Sequence, residues 1–173
     1  MPLSLLLLVA AAGNLTLATD ILAQIRAGRM LCSNPDAATK TCSAINAYAD
    51  ADDGGLIETD EFLLSPDRAV TLEVSLSVGI DHGAICGVLA LADLEKGKVR
   101  LDGALVPADR NAAALEKIVE RMKPMTGRRT CDTLRVEDGQ LLKFGQVERI
   151  EINLPGKPVR WITAADGYRV APR

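Results

Sequence analysis

At 173 residues the chain has room for one domain with a real core and no need of a second. Its 20 Lys and Arg stand against 23 Asp and Glu, for a formal net charge of −3, and aromatic residues make up only 3%. A nucleic-acid interface needs a cationic track and stacking rings, so that partner class is excluded from expectation.

The first segment, Leu3 to Ala12, is apolar, and the first ionisable side chain is Asp20. This reads as the hydrophobic stretch of a secretory signal, with Thr16 and Ala18 as the small residues before cleavage. The expected organisation is a signal peptide over 1–18 and a single exported domain over 19–173. The apolar run falls short of the roughly 20 residues that span a bilayer, so no membrane span is expected after processing. Arg29-Met30-Leu31-Cys32 lacks the small residues of a lipidation site.

Four cysteines, an even number, fit an oxidising compartment and paired thiols. Cys32 and Cys42 bracket the turn-forming Ser33-Asn34-Pro35-Asp36, which favours a local Cys32–Cys42 bridge and leaves Cys86 to Cys131. The other two pairings remain open at this point. A zinc site is disfavoured, because there is no Cys-x-x-Cys pair and only one histidine.

Next comes Asp50 to Glu61, rich in acids and glycine. One reading is a β-hairpin, with strands over 41–49 and 56–64 and the polar Asp50-Ala51-Asp52-Asp53-Gly54-Gly55 between them. Beyond it, Val70 to Val78 alternates apolar and polar residues at period two, and Ile85 to Leu89 is apolar on both faces. Asp81-His82-Gly83, Lys96-Gly97 and Asp102-Gly103 carry turn chemistry around these strands and Val99-Arg100-Leu101. A helix over about 107–123 follows from Pro107 at its start and from Ala112, Leu115, Ile118, Val119 and Met122 on one face. Strands are then expected over Cys131–Val136, Val147–Leu154 and Val159–Ile162, with turns at Asp138-Gly139 and Asp166-Gly167. The predicted class is α+β: a mostly antiparallel sheet with the one long helix packed on one face and two disulfides.

No catalytic constellation stands out, so an enzyme is not expected. His82, the single histidine, sits in a turn, and Cys86, the nearest thiol, is expected to be bridged. No phosphate-cradling glycine loop is present, since Gly54-Gly55 lacks the following Lys and Ser or Thr.

The second reading of the acidic segment is a resemblance. Asp50 through Phe62 resembles an EF-hand calcium loop, with Asp50 at position one, Asp52 at three, Gly55 at six, Glu58 at nine and Glu61 at twelve. The resemblance implies calcium as the ligand, held by Asp50, Asp52 and Glu61 side chains, the Leu56 carbonyl, and Glu58 directly or through water. Gly54 departs from the pattern at position five, and Ser65-Pro66 cuts the outgoing helix to about one turn. Lys40-Thr41-Cys42 and the ending Asp166-Gly167-Tyr168-Arg169-Val170-Ala171-Pro172 are similar to small exported bacterial proteins of unassigned function. The expectation is a small soluble periplasmic or secreted protein with a non-enzymatic binding or structural role toward a protein or envelope partner. No cofactor is expected beyond calcium in the alternative reading.

Overall fold

The computed structural model describes residues 14–15, 18–150 and 155–172. The apolar segment Leu3 to Ala12 behind the signal-peptide reading, its Thr16-Leu17 cleavage context, and residues 151–154 of the expected strand Val147–Leu154 lie outside the described residues. The elements in chain order are β1 (Asn14–Leu15), α1 (Ala18–Arg26), β2 (Met30–Ser33), β3 (Thr41–Cys42), β4 (Ala44–Asp50), β5 (Leu56–Leu63), β6 (Val70–Asp81) and β7 (Ala84–Val88). They continue as α2 (Leu91–Glu95), β8 (Lys98–Leu101), β9 (Ala104–Leu105), α3 (Ala108–Met122), β10 (Arg129–Glu137), β11 (Gln140–Val147), β12 (Lys157–Ile162) and β13 (Arg169–Val170).

The expected α+β class is overturned. Strands β2, β4, β5, β6, β7, β10, β11 and β12 pair in that order, each antiparallel to the next, and β12 returns to β2. The sheet therefore closes into an eight-stranded barrel with no free edge in the ring. Closure is decided by β6, whose later half pairs with β7 while its first residues pair with β8. β7 then meets β10 across the Cys86–Cys131 position and seals the ring. The helix expected near 107–123 is present as α3, but it lies with α2 over one end of the barrel rather than over an open sheet.

Three tight hairpins, two within the ring (β6–β7 and β10–β11) and one joining β8 to β9, show how local sequence shaped the sheet. His82-Gly83, Asp102-Gly103 and Asp138-Gly139 each have positive φ at both residues. That is the two-residue turn whose twist matches paired strands. Lys96-Gly97 is different: it ends α2 instead of joining two strands.

Strand register assigns the faces. Cross-strand partners place Asn46, Tyr48, Glu58, Asp60, Phe62, Leu72, Val74 and Val78 on the inward face of β4 to β6. The same rule puts Ile85 and Gly87 inward on β7, Thr130, Asp132 and Leu134 on β10, and Lys143 and Gly145 on β11. Adding a Cβ to Gly87 would bring it within 2.9 Å of the Ser77 carbonyl, so only glycine lets the wall approach that closely.

Each end of the barrel is handled differently. Ile21 and Ile25 of α1 pack with Leu31, Leu56, Val78, Ile85, Leu134 and Val159 and plug one end with an apolar core. At the other end Leu94 of α2 and Leu115 of α3 pack on Leu72, Val74 and Val99 beside β6 and β8. A third cluster lies outside the ring, where Cys32, Cys42 and Ile162 are covered by Tyr168 of the C-terminal segment. Both favoured disulfides are formed, Cys32–Cys42 and Cys86–Cys131, with Cα atoms 5.6 and 4.1 Å apart.

Candidate functional site

Between the α1 plug and the helical cover, the barrel interior turns polar. Asn46 and Tyr48 come from β4, Glu58 and Asp60 from β5, Asp132 from β10 and Lys143 from β11. They converge because each occupies an inward position of a paired strand, as the register requires.

Most of this set is mutually satisfied. The Asn46 Nδ2 donates to Glu58 Oε1 at 2.8 Å, and the Asn46 carbonyl oxygen accepts from Lys143 Nζ at 3.3 Å. Lys143 Nζ also lies 3.0 Å from Asp132 Oδ2. The Tyr48 hydroxyl donates to Glu58, and its ring sits 6.4 Å from that of Trp161. Asp60 is the exception. Its Oδ1 is shielded from water and has no hydrogen-bond partner among the described residues.

Burial tunes these groups. It pushes the Glu58 carboxyl up to about 7, helped by the negative charges of Asp60 and Asp132 and opposed by Lys143. Asp60 is pushed up to about 6, again chiefly by burial, with Lys143 working against the rise. Burial raises the Tyr48 phenol well above its usual value, and the adjoining Glu58 adds to this. For Lys143 burial acts in the opposite sense, but Asp132, Asp60 and Glu58 outweigh it and hold the ammonium charged.

Room exists beside these side chains. A cavity of about 160 Å³ is walled by Asn46, Glu58, Asp60, Thr130 and Asp132 on its polar side. Phe62, Val74, Leu76, Leu89, Met122 and Met125 face them as an apolar wall. A wider crevice of about 740 Å³ shares Asp60, Phe62, Met122, Met125, Thr130 and Asp132 and adds Lys143 and Lys157 toward solvent. Gly145 keeps this passage open opposite Asp132, since an added Cβ would sit 3.3 Å from Asp132 Oδ1. Chemically, the site can accept hydrogen bonds from a donor and shelter an apolar body. A carboxyl near 7 can also hold or release a proton at neutral pH.

The residues expected from the calcium resemblance do not converge. The segment is a β-hairpin, so no helices flank it: β4 enters and β5 leaves, with Asp50 paired to Leu56. Asp52 and Asp53 stay in the exposed turn, where Asp53 Oδ1 accepts from the Gly55 amide at 2.9 Å. Leu56 is in the apolar core and Glu58 points into the barrel, while Glu61, three residues on, faces outward and accepts from Thr71 at 2.7 Å. A strand's period of two separates Glu58 and Glu61 onto opposite faces, whereas the resemblance needs both around one ion. No group of three His, Cys, Asp or Glu able to hold a metal occurs among the described residues.

His82 lies in the β6–β7 turn with its side chain 96% exposed, beside Asp81. Sequence reasoning singled out Glu58 for another reason and missed Asn46, Tyr48, Asp60, Asp132 and Lys143. The one available signal was Leu56-x-Glu58-x-Asp60-x-Phe62, polar residues occupying the same strand face as bulky apolar ones.

The chain matches no family model, no curated protein and no solved structure.

Proposed function

We propose that this protein is a non-enzymatic binding barrel working outside the cytoplasm, and that it holds a small amphipathic molecule in its interior beneath the α2–α3 cover. The observation that carries the reading is the cavity with one polar and one apolar wall, set between the ring and the α2–α3 cover. Ligand sites characteristically combine a mostly apolar surface with a few convergent polar groups, and an eight-stranded ring is wide enough for one small guest.

Compartment is supported by the two disulfides, which persist where thiols are oxidised. No helix among the described residues is long and apolar enough to cross a membrane. The outward face of the barrel carries Glu61, Glu73, Arg135 and Arg160, unlike the apolar band of a lipid-facing barrel. Binding rather than turnover is favoured by the company of the acids: all four cysteines are bridged, and His82 lies on the outer surface.

The test is titration with a small aromatic probe, benzyl alcohol, followed by amide and methyl chemical shifts. Saturable shifts at Phe62, Leu89, Met122 and Thr130 are expected, with the probe recovered chemically unchanged. Shifts confined to other surfaces, or none at millimolar probe, would remove the reading.

A further inference from the structure

Resting on that binding reading, we infer that the guest is a small organic cation, an ammonium or amidinium head on an apolar body of about six carbons. The Asp60 carboxylate receives the head, and Phe62, Leu89, Met122 and Met125 enclose the body.

The argument begins with which polar groups are already spoken for. Lys143 places its ammonium between Asp132 and the Asn46 carbonyl oxygen. Glu58 takes donors from Asn46 and Tyr48. Asp60, on the wall of the same cavity, receives no hydrogen bond among the described residues, although its Oδ1 is shut away from water. A buried acceptor left undonated costs free energy until something donates to it. Among the described residues, the cavity wall therefore presents an acceptor on Asp60 that no donor engages.

Charge points the same way. Glu58, Asp60 and Asp132 face the cavity, with only Lys143 buried among them. Lys157 stands exposed at the crevice rim, where solvent and salt weaken its reach. An anionic guest would meet three carboxylates and no free cation within the cavity. A cationic head would meet the Asp60 carboxylate, which no donor among the described residues engages.

Size sets the body. An apolar cavity of about 150 Å³ is known to take up a benzene ring, and this one measures about 160 Å³ with its apolar side built from Phe62, Leu89 and two methionines. Methionine adapts to an irregular guest and makes favourable sulfur–ring contacts.

Three nearly isosteric probes separate the possibilities: benzylammonium, benzyl alcohol and benzoate, each titrated at pH 8 by calorimetry with chemical-shift mapping. Benzylammonium is expected to bind at least tenfold more tightly than the other two, with shifts at Thr130, Phe62 and Met122. Asp60→Asn is expected to abolish that preference.

Equal affinities, or benzoate as the tightest probe, would overturn the cation inference and leave the binding barrel standing. No saturation by any probe would overturn both. Should Asp60→Asn fail to fold, the unaltered protein still decides the matter. Its preference for benzylammonium is expected to shrink at least fivefold from pH 8 to pH 5, and a preference constant across that range would overturn the inference. The ionisable and charged groups around Asp60 are Glu58, Asp132, Lys143, Lys157 and Tyr48, with Glu61 next to it in sequence on the opposite strand face.

Discussion

Asn46 and Glu58 are joined across neighbouring strands by a 2.8 Å hydrogen bond from the Asn46 amide nitrogen, which leaves the Asn46 oxygen turned toward Lys143. One side chain thus links a buried acid to the buried cation. Asn46 is itself 3% exposed. Asn46→Leu is expected to leave Glu58 short of a donor and Lys143 short of an acceptor, at a cost of about 1–3 kcal/mol. Urea unfolding checks the loss. A variant as stable as the parent would show that the link contributes nothing.

The acids inside the ring make stability depend on pH in an unusual direction. Glu58 and Asp60 have folded pKa values of about 7 and about 6, raised above ordinary carboxylates by burial. The folded state therefore holds these protons more tightly than the unfolded chain. Their stabilisation is complete below about pH 4 and is lost as pH rises through 6 and 7. The Glu58 contribution amounts to at most about 3 kcal/mol by the linkage relation. Glu58→Gln is expected to flatten the stability profile between pH 5 and 8, measured by denaturant midpoints. A parent protein that gains stability over that interval, with a profile Glu58→Gln does not change, would contradict the assigned burial.

The two disulfides are expected to differ in worth. Cys86–Cys131 closes a separation of 45 residues and Cys32–Cys42 one of 10. Chain entropy alone makes the first worth about 4 kcal/mol and the second about 3 kcal/mol. The first also joins β7 to β10, the contact that seals the ring. Paired Cys→Ala variants compared by thermal unfolding should rank Cys86/Cys131 as the more damaging pair. The reverse order would mean that the outer Cys32–Cys42 cluster matters more than ring closure.

The α1 plug has its own test. Ile21 is fully buried among core residues from β2, β5, β6, β7, β10 and β12. Ile21→Ala is expected to cost about 2–5 kcal/mol by removing apolar contacts and leaving a void. Because the plug and the candidate cavity lie at opposite ends, probe affinity in the folded fraction should remain unchanged. Loss of affinity without loss of stability would place the guest near α1 instead.

Sequence patterning made some elements legible and hid others for one physical reason. β6 alternates Val70, Leu72, Val74, Leu76 and Val78 against polar partners because its inward face is apolar throughout. α3 shows its stripe because Leu115, Ile118, Val119 and Met122 cover one cluster. The strand β11 escaped notice because Lys143 and Gly145 point inward while Leu142 and Phe144 sit on the opposite face, which inverts the expected pattern. β5 was ambiguous because Glu58 and Asp60 occupy inward positions, and Glu58 also fell at position nine of the calcium-loop pattern. The candidate site was therefore concealed by its own chemistry: polar residues that serve a cavity erase the alternation that would have revealed the strands carrying them.

By itself the amino-acid sequence determined the hairpin turns at His82-Gly83, Asp102-Gly103 and Asp138-Gly139, because positive φ at successive residues is a local demand met by Gly and its Asp or His neighbours. It also determined the α3 stripe and supplied four thiols for two bridges. Only tertiary structure decided that the sheet closes, since that depends on β6 dividing its length between β7 and β8 and on β12 finding β2 far back along the chain. Closure in turn gathers Asn46, Glu58, Asp60, Asp132 and Lys143 from separate strands. Such a meeting is set by register across the ring, and no local stretch of residues encodes it.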